Sequence, residues 1–527
     1  MKEFLQKNFT LAIILTVSVF LAIYRLNECN LTMDEFFSIN VALRPLSEIW
    51  DFFKGHPNLF YFNRSAPLYE TILHFFIGKG NPNILVARLL SIFLHALTLF
   101  YIFKISKLLF DRHTALLAVF FAALNYGYIF YSKMIRWYVL SNLLVILSFY
   151  LFIKIAKENA YNRKYYISLL LVNISVLYTV YFGSFIIAME IILAPLLIPR
   201  KNLLKILSLL VAAFFLFLPW IKHLGEDIKG EKSIQFYFNY FMQLPDLIRL
   251  RLQHGIFRSN ILFIIYTAIF ICLALYSTVK LFRKKDMQSR WLISLILVVV
   301  IPALSITFLT ARVYADYTRA RYFLSFIFPL FILAGFLVRR IIKPLAILVF
   351  FMLSFFSIAS VTAGLLQPSD KFWPAGLASV SISAKNFAIP KGDKVIIEME
   401  DAFFVPIFAY YFFGGQYMCD VSFPYCGSNI KKICRELKPD YSIFFDSSGI
   451  KEKQRFDSIA NLMTADWLFL IYSDWFIRKF GKSYIERYNE KLRLRDLNMN
   501  NPLTLVHKEH AYDFTLEVYK INKSQLQ

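Results

Sequence analysis

The sequence predicts an all-α polytopic membrane bundle of about 11 transmembrane helices, followed by a small extracytoplasmic α/β domain. Three observations carry this reading. Of the 527 residues, 58% are hydrophobic and the mean hydropathy is +0.53, more apolar than a soluble globular chain. The apolar residues come in blocks, each long enough to cross a hydrocarbon core about 30 Å thick. From about Asp370 the composition turns to that of a soluble domain. The expected division is therefore a membrane part over 1–364 and a soluble part over 365–527.

The first block, "MKEFLQKNFTLAIILTVSVFLAIYRL", has Lys2 and Lys7 ahead of it and no small-residue cleavage site behind it, so it reads as a retained signal anchor. The spans begin near residues 8, 84, 114, 137, 165, 183, 203, 260, 291, 321 and 341. Every second gap is short and basic: Lys104, Lys107 and Arg112; Lys154, Lys157, Arg163 and Lys164; Arg200, Lys201 and Lys205; Arg283, Lys284, Lys285 and Arg290; Arg339, Arg340 and Lys343. Lys and Arg are retained in cytoplasmic loops, so these gaps and the N-terminus face the cytoplasm. An odd number of spans then leaves the C-terminal part outside, in a bacterial inner membrane or its equivalent.

The long outer loop, 25–83, is aromatic and carries apolar residues at helical spacing, as helices lying in the membrane interface do. A second outer loop, near 222–259, mixes aromatics with Arg. In the soluble part, "DKVIIEME" and "YSIFFD" read as strands and "DAFFVPIFAYYF" and "RFDSIANLM" as helices. "LTLVHKEHAYDFTLEVYKI" reads as a hairpin with Phe514, Leu516 and Val518 facing inward.

The net charge of +23 arises from 58 Lys+Arg against 35 Asp+Glu. The cations cluster at the ends of apolar blocks and no nucleic-acid motif accompanies them. Anionic headgroups or a phosphate-bearing lipid are the expected partners rather than nucleic acid. Five cysteines lack metal-ligand spacing. Cys29, Cys419, Cys426 and Cys434 could form one or two disulfides on an outer face or remain thiols.

Candidate chemistry lies on the outer face. Asp34 and Glu35 follow the first span in "LTMDEFFSIN". Two outer gaps hold cations against the orientation rule: Lys133 and Arg136 among Tyr126, Tyr128, Tyr131 and Tyr138, then Arg312, Arg319 and Arg321 beside Tyr322. A carboxylate can deprotonate an acceptor hydroxyl, and Arg can hold a departing phosphate whose charge grows in the transition state.

Taken in order, these stretches resemble the GT-C integral membrane glycosyltransferases, in the branch of protein O-mannosyltransferases and aminoarabinose transferases. "MDEFFSIN" resembles the family's Asp-Glu pair, and "APLYETILHFF" its Pro-Leu-Tyr-Tyr stretch through Pro67, Leu68, Tyr69 and His74. Arg88 resembles the Arg that opens the second span. "YSKMIRWYVL" matches "YSQEARMYAL" at Tyr131, Ser132, Arg136 and Tyr138. "YTVYF" at 178–182 matches "YTHYF", and "RYFLSFIFP" matches "RYLLPALP" at Arg321, Tyr322 and Pro329.

The resemblance implies inverting transfer of one sugar from a polyprenyl-phosphate donor to a hydroxyl on a glycan, lipid or protein. Asp34 would be the base with Glu35 beside it; Arg136 and Arg321 would hold donor phosphate or acceptor, with Lys133, Tyr131, Tyr322 and Arg88 near them. No cofactor follows firmly. A divalent metal stays an alternative, but the chain departs from the family pattern at Ser65-Ala66, Lys133-Met134-Ile135 and Val180. Two histidines and one acid that could serve a metal or acceptor are thereby absent. A glycolipid transporter and an oligosaccharide ligase or polymerase are the rival readings. Of the remaining polar residues, His56 reads as structural, and His74 and His95 as packed with one hydrogen bond. Glu190 needs either a buried partner or a cavity.

Overall fold

The computed structural model describes residues 2–26, 31–55, 66–77, 82–157, 162–229, 287–310, 320–340, 343–366, 375–399, 408, 411–412, 441–445, 465–473, 503–511 and 514–521. The helices in chain order are α1 (Lys2–Ile23), α2 (Met33–Ala42), α3 (Leu46–Gly55), α4 (Leu68–Ile77), α5 (Ile84–Leu109), α6 (Arg112–Ala123), α7 (Tyr126–Ser132), α8 (Tyr138–Lys157), α9 (Arg163–Leu177), α10 (Ser184–Leu197), α11 (Arg200–Lys229), α12 (Met287–Thr310), α13 (Phe328–Arg340), α14 (Lys343–Leu366) and α15 (Ala375–Asn386). Short helical turns occupy Tyr181–Gly183, Ala320–Phe323 and Leu324–Phe326.

The chain forms two compact units. The first comprises Met1–Leu26, Pro45–Phe76 and Ile84–Leu366, and the second Asn27–Arg44, Ile77–Asn83 and Gln367–Gln527. The acidic pair therefore belongs to the unit built mainly from the C-terminal part of the chain, a grouping that the sequence reading did not anticipate.

The first unit is helical. Among the described residues, α5, α8 and the Arg200–Trp220 part of α11 are each long and apolar enough to cross a membrane. α6 and α7 together make a fourth such segment, bent by 61°. The bend has a local cause: the Asn125 side chain caps α7, accepting from Tyr128 N at 3.1 Å and ending the ladder of α6. Other helices lie at the remaining apolar blocks. The block near 260 and much of the loop near 222–259 lie outside the described residues. Large apolar side chains point outward, among them Phe20, Phe93, Leu171, Leu204, Phe215 and Phe351. So much exposed apolar surface suits lipid, and the chain is an integral membrane protein.

Inside the bundle, polar groups are paired rather than absent. Ser18 Oγ lies 2.9 Å from His95 Nε2 and donates to Ala123 O at 3.2 Å, joining α1, α5 and α6. Ser148, Asn173 and Glu190, all fully buried, link α8, α9 and α10. Ser148 Oγ is 2.6 Å from both Asn173 Oδ1 and Glu190 Oε1, and Asn173 Nδ2 donates to Glu190 Oε2 at 3.1 Å. Such closure removes most of the cost of polar groups in an apolar interior.

The second unit carries a five-stranded sheet: β1 (Val395–Met399), β2 (Tyr441–Phe445), β3 (Trp467–Ser473), β4 (Leu503–Ala511) and β5 (Phe514–Ile521), in the order β2-β1-β3-β5-β4. β1 runs parallel to both β2 and β3, while β5 is antiparallel to β3 and to β4. β1, β2 and the β4–β5 hairpin fall on the stretches read as strands. β3, "WLFLIYS", was not anticipated. It has no polar–apolar alternation because Leu468, Phe469, Leu470 and Ile471 are all buried. In the hairpin, Leu516 and Val518 are buried, but so are Thr515, Glu517 and Tyr519. "RFDSIANLM" and Cys29, Cys419, Cys426 and Cys434 lie outside the described residues, as does most of "DAFFVPIFAYYF".

Candidate active site

In the second unit, the acidic pair opens α2. Thr32 is the N-cap: its hydroxyl accepts from Glu35 N at 3.3 Å, and Glu35 Oε2 accepts from Thr32 N at 2.9 Å. This reciprocal capping box, signalled by the Thr-x-x-Glu spacing at 32–35, gives the Glu35 side chain a structural role at the start of α2. Glu35 is buried, whereas Asp34 is partly exposed. The two acids thus differ in setting: Glu35 locks the start of the helix, and Asp34 sits in that fixed first turn. Just ahead of the cap, Leu31 N donates to Tyr411 OH at 3.0 Å. This bond ties the acidic turn to the C-terminal part of its own unit.

In the first unit, four separated stretches meet. Ala66 N and Leu68 N donate to Thr179 O and Tyr178 O at 3.1 and 3.0 Å, pairing "APLY" with "YTVYF". Glu70, in the first turn of α4, places Oε1 3.9 Å from Arg136 Nη1, and both side chains are buried. Trp137, next to Arg136, stacks on Tyr322 at 5.8 Å and 20°. Tyr322 also meets Phe182 at 4.6 Å. The next turn, Leu324–Phe326, is held to α8 through Ser325, whose Oγ is 3.0 Å from Ser141 Oγ and donates to Asn142 Oδ1 at 2.8 Å. Arg321 lies in the helical turn Ala320–Phe323 beside Tyr322; its side chain, like Arg312 and Arg319, is outside the described structure.

The remaining candidates have structural partners. Lys133 Nζ donates to Tyr24 O at 2.6 Å and Arg88 Nη1 to Leu26 O at 2.9 Å. Between those carbonyls, Arg25 adopts a left-handed backbone, φ 56°, which terminates α1 at a cost for any residue with a side chain. Lys133 and Arg88 therefore cap the end of α1, where carbonyls face outward and cations are favoured. Tyr131 packs edge-on against Tyr138 at 5.0 Å. Nearby, the Tyr178 phenol donates to Leu216 O at 3.3 Å and packs against both Trp50 and Trp220.

Glu70 is the residue that sequence reading missed. Its signal was present: an acid within an apolar helix, a setting where carboxylates persist only with a partner. Among the described residues, no cluster of three or more His, Cys, Asp or Glu is arranged to hold a metal.

The sequence model of the family described as dolichyl-phosphate-mannose-protein mannosyltransferase matches residues 64–223, which contain three of the four convergent stretches. Among solved structures, ArnT from Cupriavidus metallidurans bound to undecaprenyl phosphate is similar, at 11% identity, TM-score 0.52 and 97% coverage of each chain. The apo oligosaccharyltransferase of Archaeoglobus fulgidus is similar at 9% identity and TM-score 0.53, over 88% of this chain and 69% of that one. The archaeal oligosaccharyltransferase AglB from the same organism, in complex with an inhibitory peptide and a dolichol-phosphate, matches at 10% identity and TM-score 0.50, over 88% and 70%. No curated protein sequence matches the chain. The fold is GT-C, that of integral membrane glycosyltransferases.

Proposed function

We propose that this chain transfers a single sugar, with inversion, from a polyprenyl-phosphate donor to an acceptor hydroxyl at the extracytoplasmic face of the membrane. About eleven spans, a cytoplasmic N-terminus and an extracytoplasmic C-terminal part complete the reading. Asp34 is the general base, in a helical turn that Glu35 and Thr32 fix. Arg136 and Arg321 neutralise the leaving phosphate, a task suited to the planar guanidinium fork. The observation that carries the proposal is the convergence of the 66–69, 131–140, 178–182 and 321–329 stretches around the buried Glu70–Arg136 pair.

The chemistry follows from these roles. Asp34 removes the proton of the acceptor hydroxyl as its oxygen attacks the anomeric carbon. The bond from that carbon to the phosphate oxygen breaks on the opposite side, and the lipid phosphate departs with the electron pair. A phosphate is a good leaving group, so no strong general acid is needed. Of the similar structures, ArnT holds undecaprenyl phosphate and AglB a dolichol-phosphate, which supports a lipid-phosphate donor here. Glu70 orients Arg136 and keeps its charge tolerable in a dry setting.

The similarity to oligosaccharyltransferases favours one second reading, transfer of a whole lipid-linked oligosaccharide. Comparative mass spectrometry of glycolipids, envelope glycans and glycoproteins from wild-type and deletion strains separates the two. Loss of one sugar increment from one molecule is the expected result. Loss of a multi-sugar block selects the second reading, and unchanged profiles in all three fractions contradict both.

A further inference from the structure

Away from the candidate active site, α9 and α11 pack against each other and leave a groove of about 270 Å³ between them. Its lining changes character along both helices in the same direction. On α9 the sequence of lining residues is Arg163, then Tyr166 and Ile167, then Leu170. On α11 it is Lys205, then Ser208 and Leu209. From Arg163 to Leu170 the axial rise is about 10 Å. The groove thus begins with two cations and ends among aliphatic side chains, within about one-third of a hydrocarbon core.

Three features favour an anion at the charged end. Arg163 and Lys205 are exposed and near the first turns of their helices, where the positive ends of both dipoles lie. Lys164, Arg200 and Lys201 add positive charge at the same helix ends. The beginning of α11 belongs to a segment long and apolar enough to cross a membrane, so a molecule in this groove meets headgroup and acyl-chain depth at once. An exposed Ile167 and a strongly exposed Leu204 continue the apolar surface beside it.

From this gradient we infer that the α9–α11 groove binds one anionic phospholipid, with its phosphate between Arg163 and Lys205 and an acyl chain along Ile167, Leu170 and Leu209. Basic pockets between membrane helices bind anionic headgroups by this combination of point charges and apolar depth. A zwitterionic lipid lacks the net charge, and a free phosphate lacks the chain. The site is separate from the donor site proposed above and does not depend on it.

Native mass spectrometry of the purified full chain, titrated with phosphatidylglycerol or phosphatidylcholine, tests the inference. One phosphatidylglycerol per chain is expected to bind about 30-fold more tightly than phosphatidylcholine, the combined pull of two surface cations. Arg163→Gln with Lys205→Gln is expected to abolish that preference, and Lys107→Gln with Lys343→Gln, also exposed cations at helix ends, to leave it intact. Leu170→Trp, which fills the apolar end without removing charge, is expected to lower occupancy as well. Soluble glycerol phosphate is expected not to compete. Equal binding of the two lipids, loss of the preference in the Lys107/Lys343 variant, or full competition by glycerol phosphate overturns it.

Discussion

Arg136 keeps its charge inside the bundle beside Glu70, 3.9 Å away, and this pair makes the sharpest residue-scale prediction. Glu70→Gln removes the carboxylate beside a buried guanidinium and is expected to destabilise the protein by about 3–5 kcal/mol. Adding Arg136→Met is expected to recover most of that stability, because an apolar pair needs no desolvation, yet to leave transfer abolished. Thermal unfolding of the purified variants, read beside the glycan increment, distinguishes a stabilising role from a phosphate-binding one.

Glu190 behaves differently. One Ser148 hydroxyl lies 2.6 Å from two acceptor oxygens, an arrangement that a protonated carboxyl or an amide satisfies. Glu190→Gln is expected to change stability by less than about 1 kcal/mol, while Glu190→Leu takes the acceptor from the buried Asn173 Nδ2 and costs about 1–3 kcal/mol. Arg136 was visible in the sequence as a cation kept in an outer gap against the orientation rule, and Glu190 as a charge within a span. Their partners were not, because Glu70 and Asn173 reach them across helix interfaces that no local spacing encodes.

At the scale of elements, α6 and α13 show what sets helix separation. A Cβ on Gly335 would lie 2.7 Å from Thr114 O and 2.9 Å from Ala118 N, both backbone atoms. Gly335→Ala must therefore push the helices apart, at an expected cost of about 1–3 kcal/mol in thermal unfolding. The same helix pair carries a pH-dependent contact. Partial burial pushes the Asp111 carboxyl up, but the Thr114 amide and hydroxyl, the His113 amide and Arg339 of α13 outweigh it and hold Asp111 below its usual value. With the folded value depressed, this stabilisation is present above the unfolded value of about 3.9 and disappears as pH falls through the folded one. Asp111→Ala is expected to cost about 1 kcal/mol at neutral pH, as for other N-caps. In unfolding curves the gap from wild type should close under acid conditions.

Helix positions were legible because apolar blocks are long: α5 begins at Ile84 and α8 at Tyr138, beside the expected 84 and 137. The block expected to start near 321 instead breaks into two short turns before α13 begins at Phe328. The polar anchors of Ser325 on α8 hold that irregular segment, and hydropathy alone does not register them.

Over the whole molecule, the division into two units changes how the acidic pair is understood. Asp34 and Glu35 were read as part of a membrane-side loop, yet α2 groups with Gln367–Gln527. The Leu31–Tyr411 hydrogen bond is a contact that only the folded chain reveals, because its partners are 380 residues apart. Tyr411→Phe is expected to loosen the acidic turn and lower transfer severalfold without unfolding the bundle, since one hydrogen bond is worth about 1 kcal/mol. The fold class was readable from composition and ordered motifs. The setting of Glu35 was readable too, from its Thr-x-x-Glu spacing, but only once a helix start was known to lie there.

The most direct test of Asp34 as the base is mass spectrometry of the affected glycan in a deletion strain complemented with wild type or with Asp34→Asn, at equal membrane levels. Asp34→Asn keeps size and polarity but cannot accept the hydroxyl proton. If Asp34 is the base, the sugar increment stays absent, as in the deletion. Restoration of the wild-type increment by Asp34→Asn would contradict that role.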